Sequence, residues 1–179
     1  NIEDLRKGDL VVAWDPATGR VGRHEVANTF VRASDHLRIL EFEAADGSTQ
    51  TLETTDEHPF WSVGAGNFVA AGELQVGDRF ISPAGELSTL VSTACEPHPE
   101  GVPVYNFEVS DVHNYYVRAN GLQAPPVRVH NAQGYGNTNR ARTRWGAEHG
   151  KGNTAHNNAI EDVLDGAHSR GATSIRKNR

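Results

Sequence analysis

The stretch Leu37-Arg38-Ile39-Leu40-Glu41-Phe42-Glu43, followed across Asp46-Gly47 by Thr49-Gln50-Thr51-Leu52-Glu53-Thr54-Thr55, decides the fold class. Leu37, Ile39 and Phe42 are separated by Arg38, Glu41 and Glu43, the near-alternation of a half-buried strand. Asp-Gly between two such runs supplies the positive φ angles of a tight hairpin turn. The pattern continues outward in both directions. Leu10 to Trp14 reads as a strand, and Asp15-Pro16-Ala17-Thr18-Gly19 as the turn that ends it. Pro103 to Val109 and Tyr115 to Arg118 read as further strands. No amphipathic helix of ordinary length occurs before residue 132, so this part of the chain is expected to be all-β.

An internal echo adds symmetry. Asp4-Leu5-Arg6-Lys7-Gly8-Asp9-Leu10-Val11 returns 69 residues later as Glu73-Leu74-Gln75-Val76-Gly77-Asp78-Arg79-Phe80. Each copy has an acidic residue and Leu, a two-residue gap, and Gly-Asp leading into a strand. Two copies of one β-unit imply a pseudo-twofold fold.

Charge divides the chain of 179 residues in two. Residues 1–131 carry nine Lys and Arg against nineteen Asp and Glu, a net charge of −10, while residues 132–179 carry eight against four, a net charge of +4. An acidic module followed by a basic one implies different partners for each. The absence of Met and the start at Asn1 are those of a piece of a longer protein. The single cysteine, Cys95, excludes an internal disulfide framework and a Cys-based zinc site. It reads as a small buried hydrophobe. No apolar run approaches the roughly 20 residues of a membrane span.

Three segments carry chemistry. They are Thr55-Asp56-Glu57-His58-Pro59-Phe60-Trp61, then Val104-Tyr105-Asn106-Phe107-Glu108-Val109 running on to His113-Asn114-Tyr115-Tyr116-Val117, and Val127-Arg128-Val129-His130-Asn131. In this order, with a Gly-Asp turn in each half, the set resembles the Hint (hedgehog/intein-type) domains. The His-Pro-Phe-Trp continuation and the Val-His-Asn ending resemble the pretoxin Hint subtype of bacterial polymorphic toxins. The resemblance covers about 130 residues and implies a Hint/intein-type horseshoe with pseudo-twofold symmetry over residues 1–131, lacking its first strand.

The resemblance also implies site residues. A family nucleophile, Cys or Ser, would stand just upstream of Ile2-Glu3-Asp4-Leu5 and attack the preceding carbonyl. His58 would hydrogen-bond the departing amide nitrogen, and Thr55 would hold the strained bond. The side-chain amide of Asn131 would attack its own carbonyl, form a succinimide and release Ala132 as a new N-terminus. His130, and by analogy His113, would relay the proton. Ala132 departs from the Cys, Ser or Thr that splicing needs there, so cleavage without splicing is expected. No cofactor or metal is implied for this domain. The competing account is a catalytically degenerate Hint module that only displays or shields a C-terminal toxin. Trp14 and Trp61 read as packing residues, and Asp56 and Glu57 as solvated carboxylates.

After Asn131, residues 132–139 are rich in Gly, Asn and Gln, the texture of a linker. Residues 154–170 read as a helix with His156, Ile160, Val163, Leu164 and Ala167 on one face. Gly152 to Ile160 and Gly171 to Asn178 resemble the opening of restriction-endonuclease-like nuclease toxins. That resemblance implies a secreted or surface-delivered bacterial protein, nucleic acid as the complete toxin's substrate, a divalent metal for it, and an immunity protein as partner.

Overall fold

The computed structural model describes residues 1–131. The linker and helix expected after residue 131 lie outside the described residues.

The strands are β1 (Leu10–Asp15), β2 (Arg20–Ala44), β3 (Thr49–Thr54), β4 (Pro59–Ser62), β5 (Asn67–Ala70), β6 (Arg79–Ile81), β7 (Leu87–Val109), β8 (Asn114–Val117) and β9 (Val127–His130). Two single 3-10 turns, Ile2–Asp4 and Ala71–Glu73, accompany them. One sheet runs β1-β2-β7-β6 with β3 added to the end of β2, and a second runs β5-β4-β9-β8. All these pairings are antiparallel.

The hairpin read from the sequence forms as expected. Glu43 pairs with Thr49 and Arg38 with Thr54, and Gly47 sits at φ 81° in the turn between them. The internal echo is structural, down to single hydrogen bonds. In the first copy the Gly8 amide donates to Val26 and the Val26 amide to Asp9, at 2.9 and 2.8 Å. In the second, the Gly77 amide donates to Leu90 and the Leu90 amide to Asp78, both at 2.8 Å. The carboxylates of Asp9 and Asp78 accept from the amides of Arg6 and Gln75, at 2.8 and 2.9 Å. Gly8 and Gly77 hold φ of 95° and 99°, open to glycine and strained for other residues, which is why both copies spell Gly-Asp.

Length is where the strands exceed the sequence reading. β2 and β7 form a continuous ribbon of 25 and 23 residues, bent at irregularities between Val26 and Asn28, Ser34 and His36, and Glu41 and Phe42. Pro97, Pro99 and Gly101 hide the first part of β7 from a pattern search. Cys95 corrects a second expectation: it is exposed, on the ribbon opposite Arg38.

One core cluster joins the sheets. Phe42 meets Phe80 edge-on at 5.1 Å and stacks near Phe60 at 6.2 Å. Leu40, Leu52, Leu90, Phe107, Val109, Tyr115, Val127 and Val129 complete its centre, all essentially inaccessible to water. Burying side chains of this size contributes roughly 1.5–3 kcal/mol each. β4 and β9, one from each half of the chain, meet there at Phe60 and Val129.

Candidate functional site

The first group of residues lies in the connection from β3 to β4. The His58 amide donates to the Thr55 carbonyl at 3.1 Å, closing a turn over Thr55-Asp56-Glu57-His58. Pro59 then starts β4. The 3-10 turn at Ala71–Glu73 ties the connection from behind. The Ala71 amide donates to the His58 carbonyl and the Gly72 amide to the Asp56 carbonyl, both at 2.9 Å. Gly72 packs tightly here: a Cβ on it would lie 3.0 Å from Asp56 Cγ, so a side chain would displace the Asp56 carboxylate.

Asp56 and Glu57, expected to be solvated, are each 36% exposed and are in addition paired with arginines. Arg38 Nε donates to Asp56 Oδ1 at 2.8 Å, and Arg32 Nη2 donates to Glu57 Oε2 at 3.1 Å. The same Arg32 nitrogen donates to Thr55 Oγ1 at 3.2 Å. Arg38 holds the Asp56 carboxyl below its usual range against the effect of burial. Burial opposes the same shift at Glu57, where its own amide, Thr55 and Arg32 prevail. Two arginines of β2 thus strap the segment that carries Thr55 and His58.

His58 is buried, with Phe60 and Tyr115 edge-on to its ring at 5.7 and 6.4 Å. Burial first, and then the Arg32 charge, bring its pKa down to about 4, with Glu57 pulling the other way. The imidazole is therefore neutral at pH 7. Its Nε2 has no hydrogen-bond partner among the described residues.

The second group sits where β8 meets β9. Asn114 fixes the start of β8: its Oδ1 accepts from the Trp14 amide at 2.9 Å, and its Nδ2 donates to the carbonyls of Trp14 and Val112, both at 2.7 Å. In the turn before it, Asp111 and His113 take φ of 65° and 50°, in the left-handed region that non-glycine residues rarely adopt. The Asn131 amide donates to the His113 carbonyl at 3.0 Å, extending the β8–β9 pairing by one step. The rings of His113 and His130 are 6.4 Å apart, and Phe68 stands edge-on to His130 at 5.0 Å. Asn131 is 2% exposed, yet neither side-chain atom of its amide has a partner among the described residues.

Tyr115 connects the two groups. It pairs with Val129, its ring faces His58, and its hydroxyl donates to Asn106 Oδ1 at 3.0 Å. The structure therefore puts Thr55 with His58, and His113 with His130 and Asn131, and Tyr115 packs between the two sets. Sequence reasoning missed Arg32, Arg38, Asn106 and Asn114 as site-building residues. Asn106 and Asn114 lay inside quoted motifs, whereas nothing in the sequence connects Arg32 to Thr55. Among the described residues no helix is long and apolar enough to cross a membrane.

Comparison with known proteins identifies the fold and the family. The model of the pretoxin Hint domain family matches residues 1–132. A bacterial intein-like domain from Clostridium thermocellum is similar at 35% identity and a TM-score of 0.61, over 73% of this chain and 86% of that one. The DnaB intein of Synechocystis sp. PCC 6803 shares the fold at 20% identity and a TM-score of 0.57, over 74% of this chain and 86% of the intein. The gp41-1 intein shares it at 22% identity and 0.52, over 73% and 85%. No curated protein matches. With an all-β fold of two echoed halves and a family match over residues 1–132, the chain belongs to the pretoxin Hint domain family.

Proposed function

We propose that residues 1–131 form an intein-like self-processing domain that breaks the peptide bond after Asn131. The carrying observation is the Asn131 side chain, buried, without a hydrogen-bond partner among the described residues, and attached to a backbone fixed by His113. A buried amide left unpaired costs about 1–3 kcal/mol, a penalty that folding alone does not account for.

The step balances without water. Nδ2 of Asn131 attacks the carbonyl carbon of the same residue, and a five-membered aminosuccinimide closes. The bond from that carbon to the Ala132 nitrogen breaks. The proton lost from Nδ2 is matched by one delivered to the departing nitrogen. In this reading His130 and His113, whose rings lie 6.4 Å apart, supply that relay. Because Ala132 has no side-chain nucleophile, the products are two separate chains. His58 and Thr55 serve the junction upstream of the domain, where a neutral imidazole can hydrogen-bond a departing amide nitrogen.

The segment after Asn131 is the cargo in this reading: the start of a nuclease toxin in a bacterial polymorphic toxin, held in check by an immunity protein before release. Its charge of +4 against −10 for the domain supports a phosphate-facing role. Incubating the completed toxin with DNA and RNA, with and without magnesium, tests this part. Degradation of neither by a folded protein would remove it.

Mass spectrometry of the incubated chain tests the cleavage. Cyclisation yields a fragment of residues 1–131 one water lighter than the free acid, beside a fragment starting at Ala132. An intact chain would leave the alternative, a degenerate module that only displays its cargo. A free-acid end with no lighter precursor would assign the cut to an outside protease.

A further inference from the structure

Along β9 the side chains alternate. Val127 and Val129 join the core, while Arg128 and His130 face the other way. Arg128 is 5% exposed and makes no ion pair among the described residues. Its guanidinium carbon lies 4.0 Å from the ring centre of Trp61, 5.4 Å from Trp14 and 5.7 Å from Phe68. The Tyr116 hydroxyl accepts a hydrogen bond from it, and Nε has no partner. Aromatic faces attract a cation, and more strongly out of water. Burial pulls the Arg128 pKa down to about 10, with Tyr116 acting in the opposite sense, so the group stays charged at neutral pH.

A cation without a carboxylate is a costly way to fill a protein interior. Apolar replacement of buried charges is often neutral or stabilising. Packing alone therefore does not explain an arginine here, and the contacts suggest what does. The four aromatic residues come from four different strands, β1, β5, β8 and β4, so one guanidinium gathers them around β9. Phe68 bridges the two polar residues of β9: it packs on Arg128, and its ring stands edge-on to His130 at 5.0 Å and 64°. His130 immediately precedes Asn131, whose C-terminal bond is the one to be cut.

We propose that Arg128 is a positioning residue for the cleavage after Asn131: by holding Phe68, Trp61 and Trp14, its guanidinium fixes the orientation of the His130 ring. This rests on the self-processing reading above. Misplacing a catalytic group by about 1 Å costs up to 100-fold in rate, so the effect is expected on the reaction rather than on the fold.

The test compares Arg128→Met and Arg128→Lys in the 179-residue chain. Arg128→Met is expected to unfold at the same temperature as the parent or higher, yet to cleave at least about tenfold more slowly. Arg128→Lys, which keeps a cation over the rings, is expected to recover part of that rate. A second readout is independent of cleavage. In NMR spectra the His130 ring protons should carry a shift from the Phe68 ring, and that shift should collapse in Arg128→Met. Wild-type cleavage and unchanged His130 resonances in a folded Arg128→Met protein overturn the proposal. If the parent chain does not cleave at all, the self-processing reading fails by itself, and the His130 resonances alone then decide whether Arg128 positions that ring.

Discussion

The backbone amide of Asn131 donates to the carbonyl of His113 at 3.0 Å, which makes the residue after β9 and a residue in the left-handed region a single unit. A strained turn of this kind persists only where its surroundings over-determine it. Here the surroundings are the three hydrogen bonds of Asn114 and the pairing of β8 with β9. The side chain of Asn131 is the part left without a partner among the described residues.

Asn114 carries much of that support. Asn114→Ala would strand the Trp14 amide and carbonyl and the Val112 carbonyl in a buried place. The expected loss is about 3 kcal/mol, at roughly 1 kcal/mol per bond. Urea unfolding of the variant against the parent measures it. A loss indistinguishable from zero would mean that β8 is held to β1 by packing alone.

Acid should destabilise the domain through His58. Its folded pKa, about 4, lies below the unfolded value near 6.5, so the unfolded chain binds the extra proton between them. The stability due to neutral His58 is fully present above pH 6.5 and is lost as pH falls toward 4, by up to about 3 kcal/mol. His36 acts in the opposite sense: Asp35 raises its pKa, and its contribution is lost as pH rises through that value. Unfolding free energies of the parent and of His58→Gln between about pH 7 and pH 4.5 check this. The variant should show a flatter profile, and equal slopes would contradict the assignment.

Arg32 should act on His58 without holding up the fold. Its side chain is 38% exposed, so the pair with Glu57 contributes at most about 1 kcal/mol. Its charge is the second cause, after burial, of the low His58 pKa. In Arg32→Met that pKa should rise and still remain under 6.5, because burial persists. An NMR titration of the His58 ring reads the shift directly. An unmoved titration would remove Arg32 from the electrostatics of the site.

The sequence showed what is local. The hairpin over residues 37–55 and the two Gly-Asp turns are set by contacts a few residues apart, and their glycines mark them. The motifs around Thr55, His58, His113 and His130-Asn131 pointed to the family because they stand in its order, and the family match spans all of them. What stayed hidden depends on distant partners. Asn114 and Trp14 are 100 positions apart, and Arg32 and Arg38 look like ordinary charges on a solvated strand until β2 is seen to pass Thr55 and Asp56. The same blindness made Cys95 look buried, since the ribbon that exposes it is interrupted by prolines in the sequence.

The central claim is that Asn131 itself performs the cut, and removing its side-chain amide tests that most directly. Asn131→Ala deletes the nucleophile but no side-chain hydrogen bond among the described residues, so the variant should fold like the parent. Intact-mass measurement on the two purified chains, incubated side by side, follows the outcome. The parent should yield the fragment starting at Ala132 and its aminosuccinimide partner, while Asn131→Ala stays at full length. Release of the same fragment from Asn131→Ala at the parent's rate would show that Asn131 is not the cutting residue.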